Sequence, residues 1–176
     1  MLKSSAAHRF QLFRGDCNQE IDRLVAQIPN RALTLGFLDP TGLHHEFETV
    51  RKLAECGRVD LLILFPDAQD IIRNSDYYYL NQPDSKLDRY LGPKSEWRQR
   101  KAAVQSPSPT ALRKLFAEIY KDQLQKHAGY SNFGEEVIFG PAGPLYRLIF
   151  ATKHERGLDF WDKSVRKESG GQQRLF

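Results

Sequence analysis

Two apolar runs constrain this chain more than anything else in it. Ala32 to Leu38 and Val59 to Phe65 are too short to be stable helices and too continuous to be exposed loops. Between them, Phe47, Val50, Leu53 and Ala54 form one apolar stripe at helical spacing. Strand, helix, strand at this spacing predicts two buried parallel strands joined by a right-handed crossover. The first run stops at Asp39-Pro40, where proline removes a backbone donor, and Thr41-Gly42 turns the chain. A carboxylate therefore falls at the carboxyl end of a strand, where open α/β sheets hold their ligands. On local sequence alone Asp39 reads more simply as a cap for the next helix.

The same pattern extends in both directions. His8 to Phe13, HRFQLF, alternates polar and apolar residues and predicts a further short strand, ended by Arg14-Gly15-Asp16. Gln19 to Ile28 carries apolar residues at helical spacing. After Pro66 the rhythm breaks into a helical insertion over about 67–128. Short pieces are expected near 67–74, 86–91 and 95–103, with a loop over 75–85 and a long helix from Pro109 to His127. Glu136 to Gly140 and Leu145 to Thr152 then read as strands. The Pro141–Pro144 turn between them predicts an antiparallel hairpin. Leu158 to Lys167 is a last amphipathic helix. The fold class is α/β, a single domain over 1–176 with parallel strands and a C-terminal antiparallel pair.

Composition excludes several classes. With 40% apolar and 11% aromatic residues the chain is globular, not disordered. No apolar run approaches bilayer length, so no membrane association is expected. Two cysteines, Cys17 and Cys56, without CxxC spacing argue against a zinc site or a disulfide scaffold and suit a reducing cytoplasm. The formal charge of +4 is mild, but Lys86, Arg89, Lys94, Arg98, Arg100 and Lys101 cluster with Tyr90 and Trp97 interleaved. Such a stretch either contacts nucleic-acid phosphates weakly or forms solvated helix faces, and the second is the commoner outcome. His44-His45 has no third ligand at metal spacing and predicts two exposed histidines. Of Tyr77 to Tyr79, part is expected to pack and part to face water.

A parallel sheet that ends in an antiparallel pair is the outline of class I S-adenosylmethionine-dependent methyltransferases. The match extends to motifs in order. FLDPTGL, VDLLILFP, LDRYLG followed by EWR, and LIFATKHERGLDFWDK together resemble the bacterial three-Cys-motif partner proteins. These are methyltransferase-like proteins named for a cysteine-bearing partner. The resemblance covers residues of about 10 to 165. It implies a Rossmann-like methyltransferase sheet and S-adenosylmethionine as cofactor. Asp16 would face the adenine with Cys17 beside it, Asp39 would stand at the methyl acceptor, and Pro40, Thr41 and Gly42 would line the substrate. DPTG has one proline and no aromatic where the superfamily motif D/N-P-P-x has more, which speaks against amine methylation. The Gly-rich turn and ribose-binding acid that open the family's domain have no counterpart before Gly15. The expectation is an N-terminally truncated domain, inactive alone, or a non-catalytic interaction subunit that works with a three-Cys-motif protein.

Overall fold

The structure, a computed structural model, describes residues 10–141 and 143–168. Its sheet has four strands, β1 (Thr34–Leu38), β2 (Val59–Phe65), β3 (Asn132–Gly140) and β4 (Gly143–Thr152), in the order β1-β2-β4-β3. β1 and β2 are parallel, with Thr34 opposite Val59. The β3–β4 hairpin is antiparallel, and β4 inserts against β2 with Phe65 opposite Arg147. The chain is thus α/β with a mixed sheet, as the spacing predicts.

Among the described residues seven helices accompany the sheet: α1 (Cys17–Val25), α2 (Phe47–Glu55), α3 (Ile72–Asn74), α4 (Lys86–Leu91), α5 (Trp97–Ala102), α6 (Pro109–Ala128) and α7 (Glu155–Glu168). Residues Asp67–Ile71 and Ser75–Tyr79 wind as single π-helical turns on either side of α3, where the sequence predicts a short helix and a loop. β2 shows the alternation that makes a two-faced sheet. Val59, Leu61, Ile63 and Phe65 are buried on the inner face, and the residues between them are half-exposed. α2 crosses that face closely because Gly36 has no side chain. A Cβ there would lie 3.0 Å from both Leu53 and Leu61. The insertion is no separate unit. Tyr90, Trp97, Phe116 and Tyr120 belong to the same core as β2.

The outer face is covered differently. α7 lies over β3 and β4 only. Trp161 stacks on Phe150 at 5.4 Å between ring centres, and Gly157 sits against Thr152. Over β1 the face is bare: Leu33, Leu35 and Phe37 are 84%, 60% and 56% exposed.

Two sequence expectations fail here for one reason. β1 is not a buried central strand but an edge. Of the strand expected over 8–13, residues 8 and 9 lie outside the described residues, and Phe10 to Phe13 carry no regular structure. A short alternating segment becomes a strand only when a neighbour pairs its backbone. Phe10 and Leu12 instead face solvent, and Phe13 lies under Arg23.

The Trp161 contact generates a prediction. A Cβ on Gly134 would stand 2.1 Å from Trp161 Nε1. Gly134→Ala is therefore expected to lift α7 off the sheet and cost about 1–3 kcal/mol. Thermal denaturation and tryptophan emission should report it together, as a lower melting temperature and a red-shifted native spectrum.

Candidate functional site at the carboxyl ends of the parallel strands

Asp39 follows the last residue of β1 and is exposed. It caps nothing. α2 begins only at Phe47, with Glu46 as its N-cap residue. Among the described residues no group hydrogen-bonds the Asp39 carboxylate. Pro40 is half-buried and Thr41 exposed. Gly42 has φ +80° and passes so close to the next loop that a Cβ there would meet Asp70 Oδ2 at 2.8 Å. Any side chain at 42 would be strained twice over, by its φ and by that carboxylate. Asp70 in turn accepts hydrogen bonds from Tyr79 Oη and Asn74 Nδ2, both at 2.9 Å. Burial, together with the bond to Asp70, pushes the Tyr79 phenol up to about 12. Tyr77 and Tyr78 face water, so the tyrosine run divides as the sequence predicts.

Asp16 reaches the same rim through α1. It is the N-cap of that helix, and its Oδ1 accepts from Asn18 N at 2.9 Å. Asn18 then ties the start of α1 to the start of α2. Its Nδ2 donates to His44 O at 2.9 Å, and its Oδ1 accepts from Glu46 N and Thr49 Oγ1 at 2.8 and 2.7 Å. The loop after Asp39 and the helix after Asp16 are so held side by side. Asn18 is a positioning residue that sequence reasoning missed, since a single asparagine inside a helical run carries no pattern. Cys17 is exposed, and its thiol is raised, first by partial burial and then by Asp16 beside it. A helix-start position does not activate it.

Beneath the rim, aromatic rings close the core. Tyr90 and Tyr120 stack at 5.3 Å, and His45 lies 4.7 Å from Tyr90 with Nε2 3.3 Å from Tyr120 Oη. This corrects the expectation of two exposed histidines: His44 is exposed, but His45 is 4% exposed. Burial lowers its imidazole to about 4. Among the described residues no group of three or more His, Cys, Asp or Glu is placed to hold a metal ion.

Behind the rim, Asp67 is fully buried at the end of β2. Arg113 Nη2 donates to its Oδ1 and Arg147 Nε to its Oδ2, each at 3.2 Å. Arg147 Nη1 reaches on to Glu135 at 2.7 Å, which also meets Lys121. Burial would raise Glu135, but its bonds with Lys121 and Arg147 prevail and lower it.

The basic stretch is mostly spent on the protein itself. Arg89 pairs with Glu46 and Asp84, Arg100 with Asp122, Lys101 with Asp76 and Arg98 with Asp88. Among the described residues only Lys86 and Lys94 of the six candidate phosphate contacts form no ion pair. Arg98 is a structural knot. It lies 4.3 Å over the Trp97 ring and donates to the carbonyls of Tyr79, Leu80 and Gln82. Burial would raise Asp88, but the bonds from Arg98, Trp97 and Ser85 hold it at about 2.

A groove of about 1110 Å³ lies at the other end of the sheet. It is lined by the starts of β1 and β2, the end of β4, the first turn of α7 and Phe160. None of the candidate site residues lines it. No helix among the described residues is long and apolar enough to cross a membrane. Compared with protein-family models, curated proteins and solved structures, the chain matches none of them.

Two predictions follow from the buried charges. Folding depresses His45, so its stabilising contribution is complete above the unfolded value near 6.5 and is lost as pH falls toward about 4. His45→Phe should flatten the stability-against-pH curve across that window, read by urea denaturation at a series of pH values. Asp67→Ala strands two guanidinium groups and should cost about 3–5 kcal/mol, read the same way at pH 7.

Proposed function

We propose that this chain carries half of an S-adenosylmethionine site of the methyltransferase type, with Asp16 toward the adenine and Asp39 toward the methyl acceptor. The observation that carries this reading is the unspent carboxylate of Asp39 at the carboxyl end of a parallel strand, in a loop whose far end Asn18 ties to the helix start that Asp16 caps. An acidic rim of Asp16, Asp39 and Asp70 suits a cofactor that bears a positive sulfonium. Its carboxylates can also accept hydrogen bonds from an amino or hydroxyl group and so orient it. The parallel pair followed by the antiparallel hairpin supports the same reading.

The fit is partial. The cofactor's methionine end and ribose call for a close backbone turn and a second acid against the outer edge of β1, and among the described residues that edge is open. S-adenosylmethionine, when bound, supplies the electrophilic methyl group. The residues present supply orientation and charge. Charge-assisted hydrogen bonds contribute about 1.5–3 kcal/mol each, so lacking two or three weakens binding by several orders of magnitude, at about 1.4 kcal/mol per tenfold.

The chain alone is therefore expected to bind S-adenosylmethionine and S-adenosylhomocysteine only weakly and to transfer no methyl group. Calorimetry tests this on the chain and on a form extended with any residues that are encoded in frame upstream. Micromolar binding by the chain alone, lost in Asp16→Ala, overturns the half-site. Absence of binding by both forms removes the enzyme reading. It leaves the second one, a non-catalytic interaction subunit of a two-protein system, which the open edge and bare face of β1 favour.

A further inference from the structure

We propose that β1 is a self-complementary edge through which two copies of this chain associate, the strands running antiparallel about a two-fold axis at Gly36. This does not rest on the methyltransferase reading. It rests on four features of one strand.

First, the two edges of the sheet differ. β3 carries Glu135 and Glu136 and has a register shift between Ile138 and Phe139, both devices that discourage further pairing. β1, TLGFL, has no charge, no proline and no irregularity.

Second, its free backbone groups match those of a copy. Thr34 N donates to Arg58 O at 2.9 Å, toward β2. In a parallel pair, alternate residues turn both N–H and C=O to the same side. Leu35 and Phe37 therefore aim theirs outward. An antiparallel copy centred on Gly36 places Leu35 opposite Phe37 of the second copy. Those two residues can exchange both hydrogen bonds, and the axis repeats the exchange.

Third, the side chains match in the same register. Leu35 and Phe37 alternate with less exposed residues and share the bare outer face, and Leu33 just before the strand is exposed as well. Leu35 and Phe37 become cross-strand neighbours across the axis, an aliphatic–aromatic pair made twice.

Fourth, the charges bracket the strand with opposite signs. Arg31 precedes it and Asp39 follows it. Antiparallel apposition brings the turn that carries Arg31 in one copy to the strand end where Asp39 of the other stands, and the axis repeats this at the opposite end. Parallel apposition would bring like charges together and would not close into a two-fold dimer. The arrangement selects a second copy over an arbitrary strand.

Sedimentation velocity of the whole chain over a hundredfold range of concentration, starting at about 1 µM, is the test. The expected result is a reversible doubling of mass that weakens with salt. Leu35→Lys should abolish it while the circular dichroism and melting curve stay native, because Leu35 is mostly exposed. Should that variant fail to fold, the charge pair decides. Arg31→Asp should weaken the dimer several-fold, and Arg31→Asp combined with Asp39→Arg should restore it. A monomer at every concentration overturns the proposal. So does a dimer that survives Leu35→Lys, or a double charge variant no tighter than the single one.

Discussion

A carboxylate with no exposure is costly to fold unless its charge is met on all sides. Asp67 is met from two directions, by Arg113 of α6 and Arg147 of β4, and the alternation continues through Glu135 of β3 to Lys121, again on α6. Four elements distant in sequence are thereby fixed to one point. The network also fixes register. Arg147 sits opposite Phe65, two residues before Asp67. A slip of one residue between β2 and β4 would turn Arg147 to the other face and leave the buried charge with Arg113 as its one remaining partner among the described residues. Apolar burial resists the same slip, which would turn the inner face of β2 outward, and the ionic ladder adds to that resistance.

The candidate rim stands on that anchor. The π-helical turn that starts at Asp67 presents Asp70, and Gly42 lets the loop after Asp39 rest against it. Tyr79 bonds Asp70 from the second turn, while Arg98, itself held by Asp88, donates to the carbonyls of Tyr79, Leu80 and Gln82. Each carboxylate at the rim is positioned by a structure one step further in. Only Asp39 is left without such a duty.

The sequence showed clearly whatever rested on local chemistry. The run Val59–Phe65 has the bounds expected of it, as does α4, whose start is a capping box between Ser85 and Asp88. α6 begins at a serine followed by proline and ends at a glycine with φ +77°. What stayed hidden depended on neighbours. Ala32 to Leu38 reads as a buried strand because it is mostly apolar and carries no charge, yet apolarity cannot say whether a second strand lies beside it. His45 and Arg113 belong to types that usually sit in water, and only the tyrosines and Asp67 facing them explain their burial. Part of the basic stretch read as surface for the same reason. LDRYLG and EWR stand out as motifs, and in the structure Asp88, Trp97 and Arg98 from them knot two short helices to a loop. A motif can be specific because its residues hold one another.

The insertion of β4 between β2 and β3 sets the order in which this sheet can assemble. β3 and β4 are adjacent in the chain and zip through a tight connection, a contact of short sequence separation. β2 must wait for β4 across the whole helical segment that separates them, and that loop-closure entropy is met before any β2–β4 bond rewards it. The hairpin is thus a preformed unit that docks onto β2 once α6 has brought Arg113 to Asp67. The last event of folding is the joining of two halves of the sheet along their shared central seam.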